Sequence, residues 1–187
     1  MDQCFEKHAD ALKKRGVAFG VYFYSIATNV DKAKEEARMF WKYANKYKPL
    51  FWAMDAEKDS ITKAAIVAFV EEMRRLGAVK VGCYVANHLY QKYDYASIAS
   101  MMDFTWIPRY ISVPDGADVQ SLYSTRGPKH PCDLWQYTSS GFIDGISSVG
   151  FYDDEDGKKV KYIANRVDLN VITGTGKTLD WFCGGEA

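Results

Sequence analysis

The sequence predicts an α/β fold, best built as an irregular TIM-like (β/α) barrel. Three observations predict it. Helical and strand-like segments alternate through most of the 187 residues, the pattern of parallel strands joined by helical crossovers. Six strand-like runs are visible, and after residue 112 the helices fade into loops rich in Pro, Gly and Ser. The apolar run Phe51-Trp52-Ala53-Met54-Asp55-Ala56-Glu57 ends in two carboxylates, and the ends of the strands are where such barrels carry their active sites.

The elements follow in order. Residues 1–15 predict a helix, with Asp2 as cap, Phe5, Ala9 and Leu12 as an apolar stripe and Gly16 as the stop. Residues 17–25 are rich in Val, Phe and Tyr and predict a strand; Val21 and Phe23 take one face, Tyr22 and Tyr24 the other. Residues 31–48 predict a helix with Ala33, Ala37, Phe40, Trp41, Ala44 and Tyr47 on one side. The Asp55/Glu57 strand comes next, then a helix over 60–76 stopped by Gly77, a strand over 79–85 and a short helix over 95–102. Residues 104–111 predict a strand with an irregular end at Pro108. Residues 134–138 and 166–170 predict two more short strands, and between them the charged stretch 150–165 predicts a solvated hairpin turning at Asp156-Gly157.

Composition narrows the function. Lys plus Arg equal Asp plus Glu at 24 each, so no net basic field invites nucleic acid or an anionic membrane. No apolar run approaches the length of a membrane span. Cys4, Cys83, Cys132 and Cys183 are far apart, and the three histidines are scattered; neither set has metal-ligand spacing, so no metal or cofactor is expected. The first fifteen residues are charged and amphipathic, unlike a signal peptide. Aromatic residues make up 15% of the chain, which serves a bulky core and equally a groove where rings stack on sugars. Gly174-Thr175-Gly176-Lys177-Thr178 imitates the end of a phosphate loop, but the required earlier glycine is Val171. A flexible tail is the expectation there.

The carboxylate pair carries the chemistry. On a regular strand Asp55 and Glu57 share a face, about 7 Å apart along the backbone. Carboxylates that close a buried strand are costly unless paired or used. They suit acid/base work on a glycosidic bond, or else begin a polar loop.

Several blocks, in order, resemble glycoside hydrolase family 25, the N-acetylmuramidases or Chalaropsis-type lysozymes. They are Gly20-Val21-Tyr22-Phe23-Tyr24, Glu36-Ala37 with Phe40, Asp55-Ala56-Glu57, Gly82-Cys83-Tyr84, Trp106-Ile107-Pro108-Arg109-Tyr110, Trp135-Gln136-Tyr137-Thr138 with Gly141 and Gly145, and Val167-Asp168-Leu169-Asn170. Pro108 stands where the family usually has Ala. The resemblance implies a catalytic domain over 1–172 followed by a tail over 173–187. It also implies a barrel incomplete at its N-terminus, because the family's first two strands, and an Asp on the first of them, have no counterpart here. Exposed strand edges would then favour self-association, and weak activity or an inactive wall-glycan-binding remnant is the alternative outcome.

By the same resemblance the substrate is the peptidoglycan glycan strand, cut at the β-1,4 bond between N-acetylmuramic acid and N-acetylglucosamine. Glu57 would be the general acid, with Asp55 and Asp168 assisting. Asp55 would hold the 2-acetamido group so that it acts as internal nucleophile. Tyr22, Tyr24, Tyr84, Trp106, Arg109, Tyr110, Trp135 and Gln136 would bind the sugars. Action on the bacterial cell wall implies export by an N-terminal segment not seen in this sequence, or release of the phage type. A chitinase-like hydrolase is a competing reading, but its D-x-x-D-x-D-x-E pattern fails at Leu50 and Ala53.

Overall fold

The structure, a computed structural model, describes residues 3–145, 148–153, 159–164 and 166–185. Among the described residues the strands are β1 (Val21–Tyr24), β2 (Trp52–Ala56), β3 (Val81–Val85), β4 (Thr105–Pro108), β5 (Leu134–Gly141), β6 (Ser148–Asp153), β7 (Lys159–Ala164) and β8 (Val167–Ile172). The helices are α1 (Phe5–Lys14), α2 (Val30–Ala44), α3 (Lys63–Arg75), α4 (Tyr123–Arg126) and α5 (Leu179–Phe182). Six strands form one sheet in the order β1-β2-β3-β4-β5-β8, and β6 pairs with β7 in a separate antiparallel hairpin. The expected turn of that hairpin, and the expected cap at Asp2, lie outside the described residues.

The first five strands of the sheet are parallel and β8 runs antiparallel to β5. Alternation sorts their side chains. Val21, Trp52, Met54, Val81, Cys83, Ile107 and Trp135 join one large core with Phe40, Ile66, Phe69 and Met73 of α2 and α3. Tyr22, Tyr24, Ala53, Asp55, Gly82, Tyr84 and Trp106 therefore face the other way. That face is concave. The rings of Tyr22 on β1 and Trp106 on β4 lie only 6.4 Å apart, whereas three strand spacings in a flat sheet would span about 14 Å. The sheet thus curls as a barrel wall does and stays open, with β1 and β8 as its edges. This is the α/β, incomplete TIM-like barrel that the sequence predicts.

Local chemistry sets the helix ends. Asn29 accepts the Lys32 amide at the start of α2, and Thr62 accepts the Ala65 amide at the start of α3. The two helices are cross-linked by Glu72, which accepts from Arg38 at 2.6 Å and from Arg75 at 2.7 Å.

Several expected elements differ. The 95–102 helix is instead two turns of 3-10 helix, Tyr95–Ser97 and Ala99–Met101. Asp94 has a left-handed backbone and the Ser97 hydroxyl bonds its carbonyl, a local bond that competes with helix formation. The strand expected over 17–25 shrinks to Val21–Tyr24. At Gly20 the Phe51 ring fills the place a Cβ would need.

The end of the chain is a packed element rather than a flexible tail. Thr178 caps α5, and Trp181 and Phe182 are buried against Ala53 and Phe104 in a second cluster at the base of the concave face. Lys80 fastens it from below, its Nζ donating to the carbonyls of Trp181 at 2.6 Å and Gly185 at 2.8 Å. The loop that imitates a phosphate site is already occupied: the Lys177 amide donates to the Asp133 carboxylate at 2.9 Å, and a Cβ at Gly176 would collide with that same carboxylate. Among the described residues no helix is long and apolar enough to cross a membrane.

Candidate active site

Register places the chemistry in one row. Tyr24 pairs with Asp55, Asp55 with Tyr84, and Tyr84 with Trp106, so these four side chains stand abreast on the concave face at the C-terminal ends of β1 to β4. Directly below, Ala53 and Gly82 are paired neighbours. Their small size leaves room for Phe104, whose ring and carbonyl lie 2.5 Å from where a Cβ on Gly82 would be.

Asp55 is the buried member of the carboxylate pair, at 9% exposure, and its Oδ1 has no hydrogen-bond partner. Burial, and then the charge of Glu57, push its pKa from 3.8 to about 7. Glu57 stands one residue past the end of β2 and is exposed. The pair is asymmetric for a simple reason: β2 stops at Ala56, so Asp55 is walled by β1 and β3 while Glu57 opens into the cleft.

Aromatic and amide groups line the rest. The Tyr84 phenol donates to Gln136 Oε1 at 2.8 Å, and Tyr110 approaches the same oxygen at 3.5 Å. Burial, then the neighbouring Tyr110, Glu57 and Asp55, raise the Tyr84 phenol far above the usual range, so it stays a neutral donor. Trp106 stands edge-on to Tyr84 at 5.1 Å. Its indole N–H donates to Asn170 Oδ1 at 2.8 Å, tying β4 to β8 across the face. The loop after β1 is anchored by Glu36, which accepts from the Ser25 hydroxyl at 2.6 Å and the Ile26 amide at 3.0 Å.

The structure thus brings together Asp55, Glu57, Tyr22, Tyr24, Tyr84, Trp106, Tyr110 and Gln136. The remaining expected site residues are Trp135, Arg109 and Asp168. Trp135 is fully buried on the convex side of β5, packed near Tyr123 and Tyr137, with its indole N–H on the Arg109 carbonyl at 2.7 Å. It is a core residue, not a groove wall. Arg109 forms no ion pair among the described residues. Asp168 is exposed on β8, and the charge acting on Asp55 comes from Glu57 rather than from it. Sequence reasoning passed over Asn170 as a site residue, although its spacing of two from Asp168 marks a shared face.

A cavity of about 490 Å³ lies away from the carboxylates. It runs along the outer edge of β1, between Phe5 of α1, Tyr22 and Tyr24, and Met39, Phe40 and Tyr43 of α2. Among the described residues no group of three His, Cys, Asp or Glu could hold a metal ion.

Comparison with known proteins places this arrangement. The chain resembles GHIP, a glycosyl hydrolase 25 of Streptococcus pneumoniae described as a virulence factor participating in host cell invasion, with a TM-score of 0.74 and 24% identity over 98% of this chain and 71% of that one. It resembles the catalytic domain of endolysin ply40 from bacteriophage P40 of Listeria monocytogenes, with a TM-score of 0.71 and 24% identity over 98% and 80% of the two chains. The bacterial lysozyme of Streptomyces coelicolor aligns with a TM-score of 0.63 and 14% identity, over 98% and 80%. No curated protein matches the chain significantly. At these identities the solved structures establish the shared fold. The sequence itself matches the model of the glycosyl hydrolases family 25 over residues 1–146, most of its length, and the chain belongs to that family of glycoside hydrolases.

Proposed function

We propose that this chain hydrolyses peptidoglycan at the β-1,4 bond between N-acetylmuramic acid and N-acetylglucosamine, with Glu57 as general acid and Asp55 as its partner. The observation that carries the reading is the asymmetric pair: a buried carboxyl with an unsatisfied Oδ1 beside an exposed one, in an aromatic cleft of a family 25 chain. The endolysin and lysozyme folds among the similar structures support a wall substrate.

Burial, and then the charge of Glu57, raise the Asp55 carboxyl to about 7, so Asp55 keeps its proton well above the ordinary carboxylate range. A sugar entering the cleft brings a 2-acetamido N–H to the unsatisfied Oδ1. That donor favours ionised Asp55. The same sugar excludes water from the space around Glu57. Substrate binding therefore shifts the proton from Asp55 to the group beside the leaving oxygen.

Glu57 then gives this proton to the glycosidic oxygen as the C1–O bond breaks. The acetamido oxygen closes on C1, its N–H held by Asp55. Water next attacks C1, reopening the ring and returning a proton to Glu57. Tyr22, Tyr24, Tyr84 and Trp106 offer ring faces and edges to the sugars. Gln136 and Tyr110 offer polar groups, and Asp168 and Arg109 serve at the rim.

Glu57→Gln tests the assignment, because the amide keeps the shape and cannot give up a proton. The expected loss of wall-lytic turnover is about two to four orders of magnitude, with the fold intact by circular dichroism. Parental clearing by the variant would remove Glu57 from the role.

A further inference from the structure

Glu57 lies beyond the last ladder residue of β2, so the sheet does not fix its position. The turn that follows it does. The Lys58 carbonyl accepts two hydrogen bonds, from the Ile61 amide at 3.0 Å and from the Tyr93 phenol at 2.5 Å. Asp59 pairs with Lys92 Nζ at 3.0 Å, and Lys58 Nζ stands 5.8 Å from the centre of the Tyr24 ring.

These contacts are not equal. The Asp59–Lys92 pair is exposed, and exposed pairs contribute little. Tyr93 is buried at 2% exposure and its own amide is bonded to Leu89 at 2.9 Å, so its phenol is a fixed point. Burial foremost, then Cys83, Asp59, Glu57 and Asp55, raise that phenol well above its ordinary range, and it remains a donor at any working pH. Tyr93 sits in the loop after β3, and the Ala56–Val85 pairing makes that loop the neighbour of the Glu57 turn.

We propose that Tyr93 is a positioning residue for Glu57: by holding the Lys58 carbonyl, its phenol sets the turn that aims the Glu57 carboxyl at the glycosidic oxygen. This rests on the reading of Glu57 as general acid. A general acid works only within hydrogen-bond reach of its target, and a displacement of about 1 Å costs on the order of a hundredfold in rate.

Tyr93→Phe in the full chain tests it. Phe fills the ring's space, and the Lys58 carbonyl keeps its bond from Ile61, so no bare buried acceptor remains and the variant is expected to fold. Two readouts are needed. On purified peptidoglycan, kcat is expected to fall about ten- to a hundredfold with KM little changed. In a carbon-detected NMR titration of the Asp55 carboxyl, the midpoint is expected to move down toward the ordinary range, because the Glu57 charge that helps hold it up is no longer held beside it. The other charges around the pair, on Lys58, Asp59 and Lys92, are the same in both proteins.

Lys92→Ala, which removes the exposed tie to the same turn, is expected to match the parent in both readouts. Parental kcat in Tyr93→Phe overturns the proposal. So does a lowered kcat with an unmoved Asp55 midpoint, since Tyr93 would then act elsewhere. If the parent chain itself shows no turnover, the functional reading fails, and the titration alone decides on Tyr93: a lowered midpoint supports the placement and an unmoved one refutes it.

Discussion

Asp55 concentrates the cost and the use of this site in one residue. Its carboxyl is held near pKa 7 in the folded protein against 3.8 ordinarily. Between those values the unfolded chain has lost the proton and the folded chain keeps it. Stability therefore falls as pH rises through that window, and the loss is complete above about pH 7. Asp55→Asn removes the titration. The variant is expected to unfold several degrees above the parent at pH 8, with the gap closing at pH 4, as thermal unfolding at both pH values would show. An equal gap at both would mean that Asp55 is not the buried acid described. The pair itself was legible from its spacing at the end of an apolar run. Its asymmetry was not, because it depends on β2 ending at Ala56. Trp135 and Gln136 show the converse. Adjacent strand residues cannot share a face, so assigning both to the groove overlooked the alternation that separates Tyr22 and Tyr24 from Val21 and Phe23.

At the scale of elements, α5 was the least legible. Four residues are too few for a periodicity to show, and its partners are remote: Lys80 reaches it across 101 positions. Yet it closes the base of the concave face. Trp181 is buried against Phe104 and Phe182, with the ammonium groups of Lys80 and Lys177 each 4.8 Å from its ring centre. Trp181→Ala is expected to cost about 3–5 kcal/mol, read as a drop in the urea midpoint at unchanged slope. A cost below about 1 kcal/mol would mean the segment only rests on the sheet. The long helix α2 was readable from its apolar stripe and α3 from the Gly77 that stops it, although their caps, Asn29 and Thr62, were not read. The 95–102 segment was misread because a side-chain bond at Ser97 overrides its helical composition.

At the scale of the molecule, alternating helices and strands produce a curled sheet whose parallel strands end in one row, Tyr24–Asp55–Tyr84–Trp106. The α/β alternation and most strands of the sheet were readable in order. The curl, which brings β1 and β4 within ring contact, and the antiparallel return of β8 come from packing between distant segments and leave no local mark. The central claim is that this row, with Glu57 at its rim, cuts glycan strands on the muramic acid side. The direct test is to digest purified peptidoglycan with the chain, reduce the products with borohydride and identify the reduced sugar by mass spectrometry. New reduced muramic acid ends that are missing with Glu57→Gln are the expected result. No new ends, or new ends at glucosamine, would contradict the account.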